Sequence, residues 1–186
     1  MGISATARDL TESLGLMGRV CELGSQDIHF EGGIGLTCRE WMEAQGWDYT
    51  CIDLDGHAGA LRLDLNTAMA IDVTGAWNHP PFDLVTNHGT SEHVFNQYNV
   101  FKLMHDLTKV GGTMLHAVPT PGFGKPHGFY AYDEIIFHDL ARANDYQITH
   151  LFRGEPNEII FAVMKKIVDR PFKTPTQGMY SYVSPV

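Results

Sequence analysis

The chain has 186 residues, 44% hydrophobic and 19% charged, with a formal net charge of -9. That is the composition of one soluble domain with a full core. No apolar run approaches the ~18 residues of a membrane crossing, no secretory signal pattern opens the chain, and an acidic surface repels phosphate backbones, so neither membrane nor nucleic-acid partners are expected. Three cysteines, Cys21, Cys38 and Cys51, lack metal-type spacing, and their odd number fits reduced thiols and a cytoplasmic location.

Residues 5–17 carry Leu10, Leu14 and Met17 at helical spacing and predict a leading amphipathic helix. Val20–Leu23 reads as the first strand, in which Cys21 acts as a small buried hydrophobe, as Cys51 does in the second. A polar, glycine-rich connection over 25–36 follows. Thr37 and Glu40 form a capping-box pattern for a helix that should stop at Gly46. Tyr49–Leu54 and Leu61–Leu65 are the next strands. Residues 66–81, with His79-Pro80-Pro81, read as irregular, and Phe82–Thr86 as the fourth strand. Val94, Tyr98, Phe101, Met104 and Leu107 then mark one buried helix face, closed by Gly111-Gly112. Thr113–Val118 is the fifth strand and Pro119–Gly128 a loop. Asp133 caps a helix through Ala143, and Gln147–Phe152 with Glu158–Met164 close the fold as a hairpin-like antiparallel pair.

This alternation predicts an α/β fold: a seven-stranded, mostly parallel, Rossmann-like sheet with an antiparallel last strand and helices on both faces. Ligands of such sheets bind outside the carboxyl ends of the strands. Glu22 and Gly24 stand at the first of these ends, Asp53 and Asp55 at the second, Asp64 at the third, and Asn87-His88-Gly89-Thr90 beyond the fourth. A carboxylate there can accept hydrogen bonds from ribose hydroxyls, and glycine lets the backbone approach a ligand. Thr90 or Ser91 is also a candidate helix cap.

Over roughly residues 18–165 these segments resemble the class I S-adenosylmethionine-dependent methyltransferase family. Val20-Cys21-Glu22-Leu23-Gly24 is similar to the family's first motif, Ile52-Asp53-Leu54-Asp55 to its ribose-holding second-strand acid, and Leu63-Asp64-Leu65 to the segment beside the adenine. Phe82-Asp83-Leu84-Val85-Thr86 looks like the fourth strand. Ser91-Glu92-His93-Val94 and Leu107-Thr108-Lys109-Val110-Gly111-Gly112-Thr113 match common sequences around the next helix and the fifth strand. The resemblance implies S-adenosyl-L-methionine as cofactor, held by Glu22, Gly24, Ser25, Gln26, Asp53, Leu54, Asp64, Leu65, Asn87 and His88. It departs from the family where Ser25, Gln26 and Asp27 replace the usual further glycines, and Gly32-Gly33-Ile34-Gly35 comes only later.

Of the ten histidines, His88, His93, His116 and His127 fall near the binding edge, whereas His29, His57, His138 and His150 read as surface or half-buried residues. No close ligand pair stands out, so no metal is expected from spacing. His88, His93 and His127 are instead candidate bases, because imidazole titrates near neutral pH. The glycine-punctuated aromatic stretch 123–132 should cover a small-molecule acceptor with His127, Tyr130 and Tyr132, with His88 facing that loop. The expected activity is methyl transfer with histidine-assisted deprotonation. A NAD-type oxidoreductase would need a tight G-x-G-x-x-G turn, and a non-catalytic nucleoside-binding or assembly protein is the other alternative. The expected organisation is one domain over 1–168, an irregular tail over 169–186, and a possible homo-oligomer.

Overall fold

The computed structural model describes residues 2–70, 72, 81–123, 127–154 and 158–176. Its strands are β1 (Arg19–Leu23), β2 (Asp48–Asp53), β3 (Leu61–Arg62), β4 (Phe82–His88), β5 (Thr108–Pro119), β6 (Tyr146–Gly154) and β7 (Ile159–Lys166), in the order β3-β2-β1-β4-β5-β7-β6. All pairs from β3 through β5 are parallel, and β7 runs antiparallel to both β5 and β6. This is the expected mostly parallel sheet. Its order reverses between β1 and β4, which is where a ligand crevice opens.

Helices α1 (Ala5–Ser13) and α2 (Cys38–Ala44) cover one face. Ala7, Leu10, Trp41 and Met42 pack there with Val20, Tyr49, Cys51, Leu84 and Leu115. Helices α3 (Gln97–Leu107) and α4 (Glu134–Asn144) cover the other face, where Phe101, Met104, Phe137 and Leu140 pack with Cys21, Leu23, Ile52, Val85 and Met114. The period-2 alternation of the strands divides these two sets. The capping box forms as expected: Thr37 accepts from the Glu40 amide, and Glu40 accepts from the Thr37 amide. Asp133 likewise caps α4 by accepting from Ile135. Among the described residues no helix is long and apolar enough to cross a membrane.

Several expectations are corrected. The leading helix stops at Ser13, short of Met17, which is 57% exposed. The third strand shrinks to Leu61–Arg62 because Asp64 turns the chain through its bonds to the Asn66 amide and side chain, whereas α2 stops where expected, with Gly46 at φ 91° just past its Gln45 cap. The buried face of α3 excludes Tyr98, which is 51% exposed, and Val94 precedes the helix. Nor do Gly111 and Gly112 close α3. The chain passes directly into β5 at Thr108, whose hydroxyl donates to the Met104 carbonyl. The glycines sit inside β5, beside the register shift between Phe82 and Leu84. A Cβ on Gly112 would lie 3.0 Å from the Phe82 carbonyl oxygen, so the site needs close backbone approach.

Most of the irregular stretch 66–81 and its His79-Pro80 lie outside the described residues. The described part of the tail is irregular but anchored. His105 bonds the Arg170 carbonyl, Asn144 bonds the Lys173 backbone, and Phe172 packs on the α3 side of the core.

Candidate functional site

At the carboxyl ends of β1, β2 and β4 lies a cleft of about 310 Å³ lined by Gly24, Ser25, Gln26, Asp53, Leu54, Asp64, Leu65, Gly89, Thr90 and His93 among others. The β1 end shapes it. Gly24 adopts φ 80° and donates its amide to the Ile52 carbonyl at 2.7 Å. A Cβ there would stand 2.2 Å from Thr90 Oγ1, so glycine is required by space as well as by conformation. Asp53 Oδ2 accepts from the Ser25 amide at 2.7 Å, and Oδ1 from the Asp55 amide at 3.3 Å. The carboxylate thus folds the loop over the cleft and retains lone pairs toward it. Gln26 Nε2 donates to Thr90 Oγ1 at 3.2 Å, while the buried Gln26 Oε1 has no protein partner. An acceptor orphaned beside a cleft is a place for a ligand's ammonium or hydroxyl group.

The expected cofactor set therefore divides. Gly24, Ser25, Gln26, Asp53, Leu54, Asp64 and Leu65 line the cleft, and Glu22, Asn87 and His88 do not. Glu22 is buried on the α1–α2 face, where its carboxylate accepts from the Tyr49 hydroxyl and meets His88 Nδ1 at 3.3 Å. His88 is 2% exposed and does not face the 119–131 loop. The reason is strand alternation: β4 continues to His88, which puts its side chain on the Glu22 side. Asn87 points to the opposite face. It donates to Ser91 Oγ at 2.8 Å, accepts from the Ser91 amide at 3.0 Å, and contacts His116 Nδ1 at 3.3 Å. Burial pushes the His116 imidazole down to about 3, with a smaller contribution from His88.

Neither Thr90 nor Ser91 caps α3. Thr90 donates to the Leu23 carbonyl, and Asn96 caps the helix by accepting from Asn99. Gly32–Gly35 lie outside the cleft lining, in a connection tied down by bridges from Ile28 to Ile3 and from Asp27 to Thr37. Thr90 lines the cleft, as its place beyond the fourth strand implies, and Asn66 is a cleft residue that the sequence motifs did not assign, its only signal being its position just beyond a strand end.

A second concavity, about 480 Å³, is lined by Pro119–Phe123 and His127–Ala131. His127 and Tyr130 belong to it. Tyr132 does not: its buried hydroxyl donates to Gln97 Oε1 and accepts from the Ser91 hydroxyl, both at 2.8 Å, so it braces the wall behind the site. Tyr130 donates its hydroxyl to the Phe95 carbonyl at 2.9 Å.

The two concavities meet at a histidine pair. His93 lines the first, His127 the second, and their Nε2 atoms are 3.0 Å apart. The contact is held by the backbone: the Phe129 and Tyr130 amides both donate to the Glu92 carbonyl, at 2.7 and 3.2 Å. Gly128 makes this docking possible, since a Cβ there would lie 2.6 Å from that same oxygen. Burial, and then the neighbouring His127, push the His93 imidazole below its usual range. The Glu92 side chain is fully buried, both of its oxygens lack hydrogen-bond partners, and burial pushes its carboxyl up to about 7.

No protein-family model and no curated protein sequence matches the chain. Solved structures do. It is similar to the methyltransferase NodS of Bradyrhizobium japonicum WM9 in complex with S-adenosyl-L-homocysteine (TM-score 0.59, 14% identity, 88% of each chain covered). It is also similar to the Burkholderia thailandensis 1,6-didemethyltoxoflavin-N1-methyltransferase with bound 1,6-didemethyltoxoflavin and S-adenosylhomocysteine (0.57, 15% identity, 84% of this chain and 73% of that one). A third is the glycopeptide N-methyltransferase MtfA complexed with S-adenosyl-L-methionine (0.58, 12% identity, 88% and 94%). The fold is that of the class I S-adenosylmethionine-dependent methyltransferases.

Proposed function

We propose that this chain is an S-adenosyl-L-methionine-dependent methyltransferase acting on a small-molecule acceptor. The observation that carries the reading is the histidine contact: His93 lines one concavity, His127 lines the other, and 3.0 Å separates their Nε2 atoms. The cleft has the donors and acceptors a nucleoside needs. Asp53 would accept from the ribose hydroxyls, Asp64 from the adenine amino group, and Gln26 Oε1 from the ammonium of the methionine part. Leu54 and Leu65 would flank the base. The orphaned Gln26 oxygen is the feature that fits this cofactor.

When bound, the cofactor supplies an electrophilic methyl group on a sulfonium. What this chain contributes is alignment and a route for the acceptor's proton. The segments Pro119–Phe123 and His127–Ala131 would hold the acceptor against the histidine pair and limit its contact with water. The pair assists loss of the acceptor's proton. The buried free thiols Cys21, Cys38 and Cys51 suit a reducing cytoplasm. A dinucleotide reading has less support, because Ser25-Gln26-Asp27 stands where G-x-G-x-x-G would have to be.

Titration calorimetry with S-adenosyl-L-methionine, S-adenosyl-L-homocysteine and NAD tests the cofactor, and tighter binding of NAD would overturn the reading. An activity screen over small amines, phenols, carboxylates and thiols tests the acceptor. His127→Ala should lower turnover on any substrate found while leaving cofactor affinity nearly unchanged.

A further inference from the structure

Glu92, His93 and His127 have a property that proton transfer alone does not explain. One ligand atom from each, a carboxylate oxygen and two imidazole nitrogens, lies within 4.8 Å of the others. The two Nε2 atoms are 3.0 Å apart, and Glu92 Oε1 is 3.8 Å from His127 Nε2. In a tetrahedral site with metal–ligand bonds of about 2.0–2.1 Å, ligand atoms stand about 3.3–3.4 Å apart. These two spacings bracket that value, and the third stays within 4.8 Å. We infer that Glu92, His93 and His127 form a binding site for one divalent transition-metal cation of the zinc type, at the junction of the two concavities.

The independent observation is the state of Glu92. Its side chain is fully buried, and neither carboxylate oxygen accepts a hydrogen bond from another residue. Burying a carboxylate without partners is costly, and a cation between it and the two imidazoles removes that cost. A hydrogen bond between the imidazoles would satisfy His93 and His127, but it would leave Glu92 as it is. The ligand set, two nitrogens and one oxygen, suits zinc, cobalt or iron(II) better than calcium or magnesium, which take all-oxygen shells. Three protein ligands leave a coordination position open, as in catalytic rather than structural sites. The backbone bonds from Phe129 and Tyr130 to the Glu92 carbonyl fix the two halves of the site against each other.

What the cation would do for an acceptor rests on the methyltransferase reading, whereas its binding does not. With the cation in place, the histidine pair would promote proton loss as ligands. A hydroxyl oxygen bound to a cation becomes more acidic, gives up its proton to solvent water before the methyl group arrives, and keeps a lone pair for it. An amine nitrogen bound to a cation has no lone pair left. The site therefore favours an oxygen acceptor, such as a phenol or another small hydroxyl compound.

The test is titration of the metal-stripped full chain with Zn²⁺ by calorimetry and with Co²⁺ by visible absorption, with S-adenosyl-L-homocysteine titrated into the same samples. One equivalent of cation should bind, with a cobalt spectrum typical of low coordination number. Losing even an outer partner of a metal site costs about 10–100-fold in affinity, so Glu92→Gln and His127→Ala should each weaken binding by at least the upper figure. His150→Ala, an exposed histidine on β6, should leave it unchanged. Saturable binding that survives Glu92→Gln, or no stoichiometric binding to the wild type, would overturn the site and return the pair to a hydrogen bond. Cation binding without homocysteine-nucleoside binding would keep the metal site and sink the cofactor reading. The converse would remove the metal site alone.

Discussion

His93 Nε2 lies 3.0 Å from His127 Nε2, although 34 residues separate them in the chain. One follows β4 and the other follows β5, and these strands are parallel neighbours in the sheet. Their carboxyl ends therefore emerge side by side, and the contact is a product of topology.

That contact depends on Gly128. Its φ is 73°, and a Cβ would meet the Glu92 carbonyl oxygen at 2.6 Å. Gly128→Ala should lift the 127–130 segment off Glu92 and separate the histidines. The left-handed backbone conformation adds a cost of about 1–2 kcal/mol for a residue with a side chain. Thermal unfolding should show a modest loss of stability. Turnover should fall severalfold, and S-adenosyl-L-homocysteine affinity, read by calorimetry, should change little because Gly24 and Asp53 are untouched. Unchanged turnover would show that the docking of this loop is irrelevant to catalysis.

Asp53→Ala should weaken cofactor binding tenfold or more, since a hydrogen bond to a charged group contributes about 1.5–3 kcal/mol. Part of the loss would be indirect, because Asp53 also holds the Ser25 amide at 2.7 Å. Asp53→Asn separates the two effects. The amide can still accept from Ser25, so a variant that binds as weakly as Asp53→Ala assigns the loss to the ribose contact. Normal binding by both variants would pass the role to Asp55.

How far these residues could be read from the sequence follows from range. The acids at strand ends were legible because an apolar run ending on Asp or Glu is a local pattern, and Asp53 and Asp64 do line the cleft. So was the Thr37–Glu40 box, which spans four positions. His88 was not, because its orientation depends on where β4 ends. With the strand stopped at Thr86, His88 reads as a free loop residue; in the structure two more residues stay in register with β5 and turn it toward Glu22. Gly111-Gly112 misled for a related reason. Glycine after a helical pattern marks a stop, but here Gly111 serves a left-handed backbone at φ 83° and Gly112 a close approach to the Phe82 and Asp83 carbonyls inside the sheet. The Glu92–His93–His127 cluster had no local signature, since its third member is supplied by a neighbouring strand's loop.

His116 sets a pH dependence of stability. Burial lowers its pKa from 6.5 to about 3 in the folded chain, and His105 is lowered too, first by burial and then by the charge of Lys166. Both groups bind a proton more readily when unfolded, so they contribute stability that is fully present above pH ~6.5 and is lost as pH falls. For His116 the loss continues down to about pH 3. Each proton taken up only by the unfolded chain costs at most about 1.4 kcal/mol per pH unit. The Glu92 carboxyl, pushed up to about 7 by burial, acts in the opposite sense over the same range, so the measurement is the difference between two chains: in urea unfolding at pH 7.5 and pH 5, acidification should be less unfavourable to His116→Gln than to the wild type. An equally steep profile in that variant would assign the effect to other groups.

Tyr132 is the residue for which the sequence and the structure imply different experiments. As a substrate contact in an aromatic loop, its hydroxyl would matter for acceptor recognition. The structure instead buries that hydroxyl between Ser91 Oγ and Gln97 Oε1, each at 2.8 Å, and burial pushes the phenol well above its usual range. Ser91 in turn bonds Asn87, and Gln97 bonds the Ser91 and Val94 carbonyls, so the phenol closes a network that fixes the turn bearing Glu92 and His93. Tyr132→Phe keeps the ring, which packs edge-on against Phe101, and removes only the hydroxyl. Leaving the Gln97 oxygen without its donor should cost about 1–3 kcal/mol of stability, read by denaturant unfolding. The Michaelis constant for an acceptor should stay close to the wild-type value, because the hydroxyl does not reach the pocket. A large rise in that constant with unchanged stability would restore Tyr132 to the substrate side of the site.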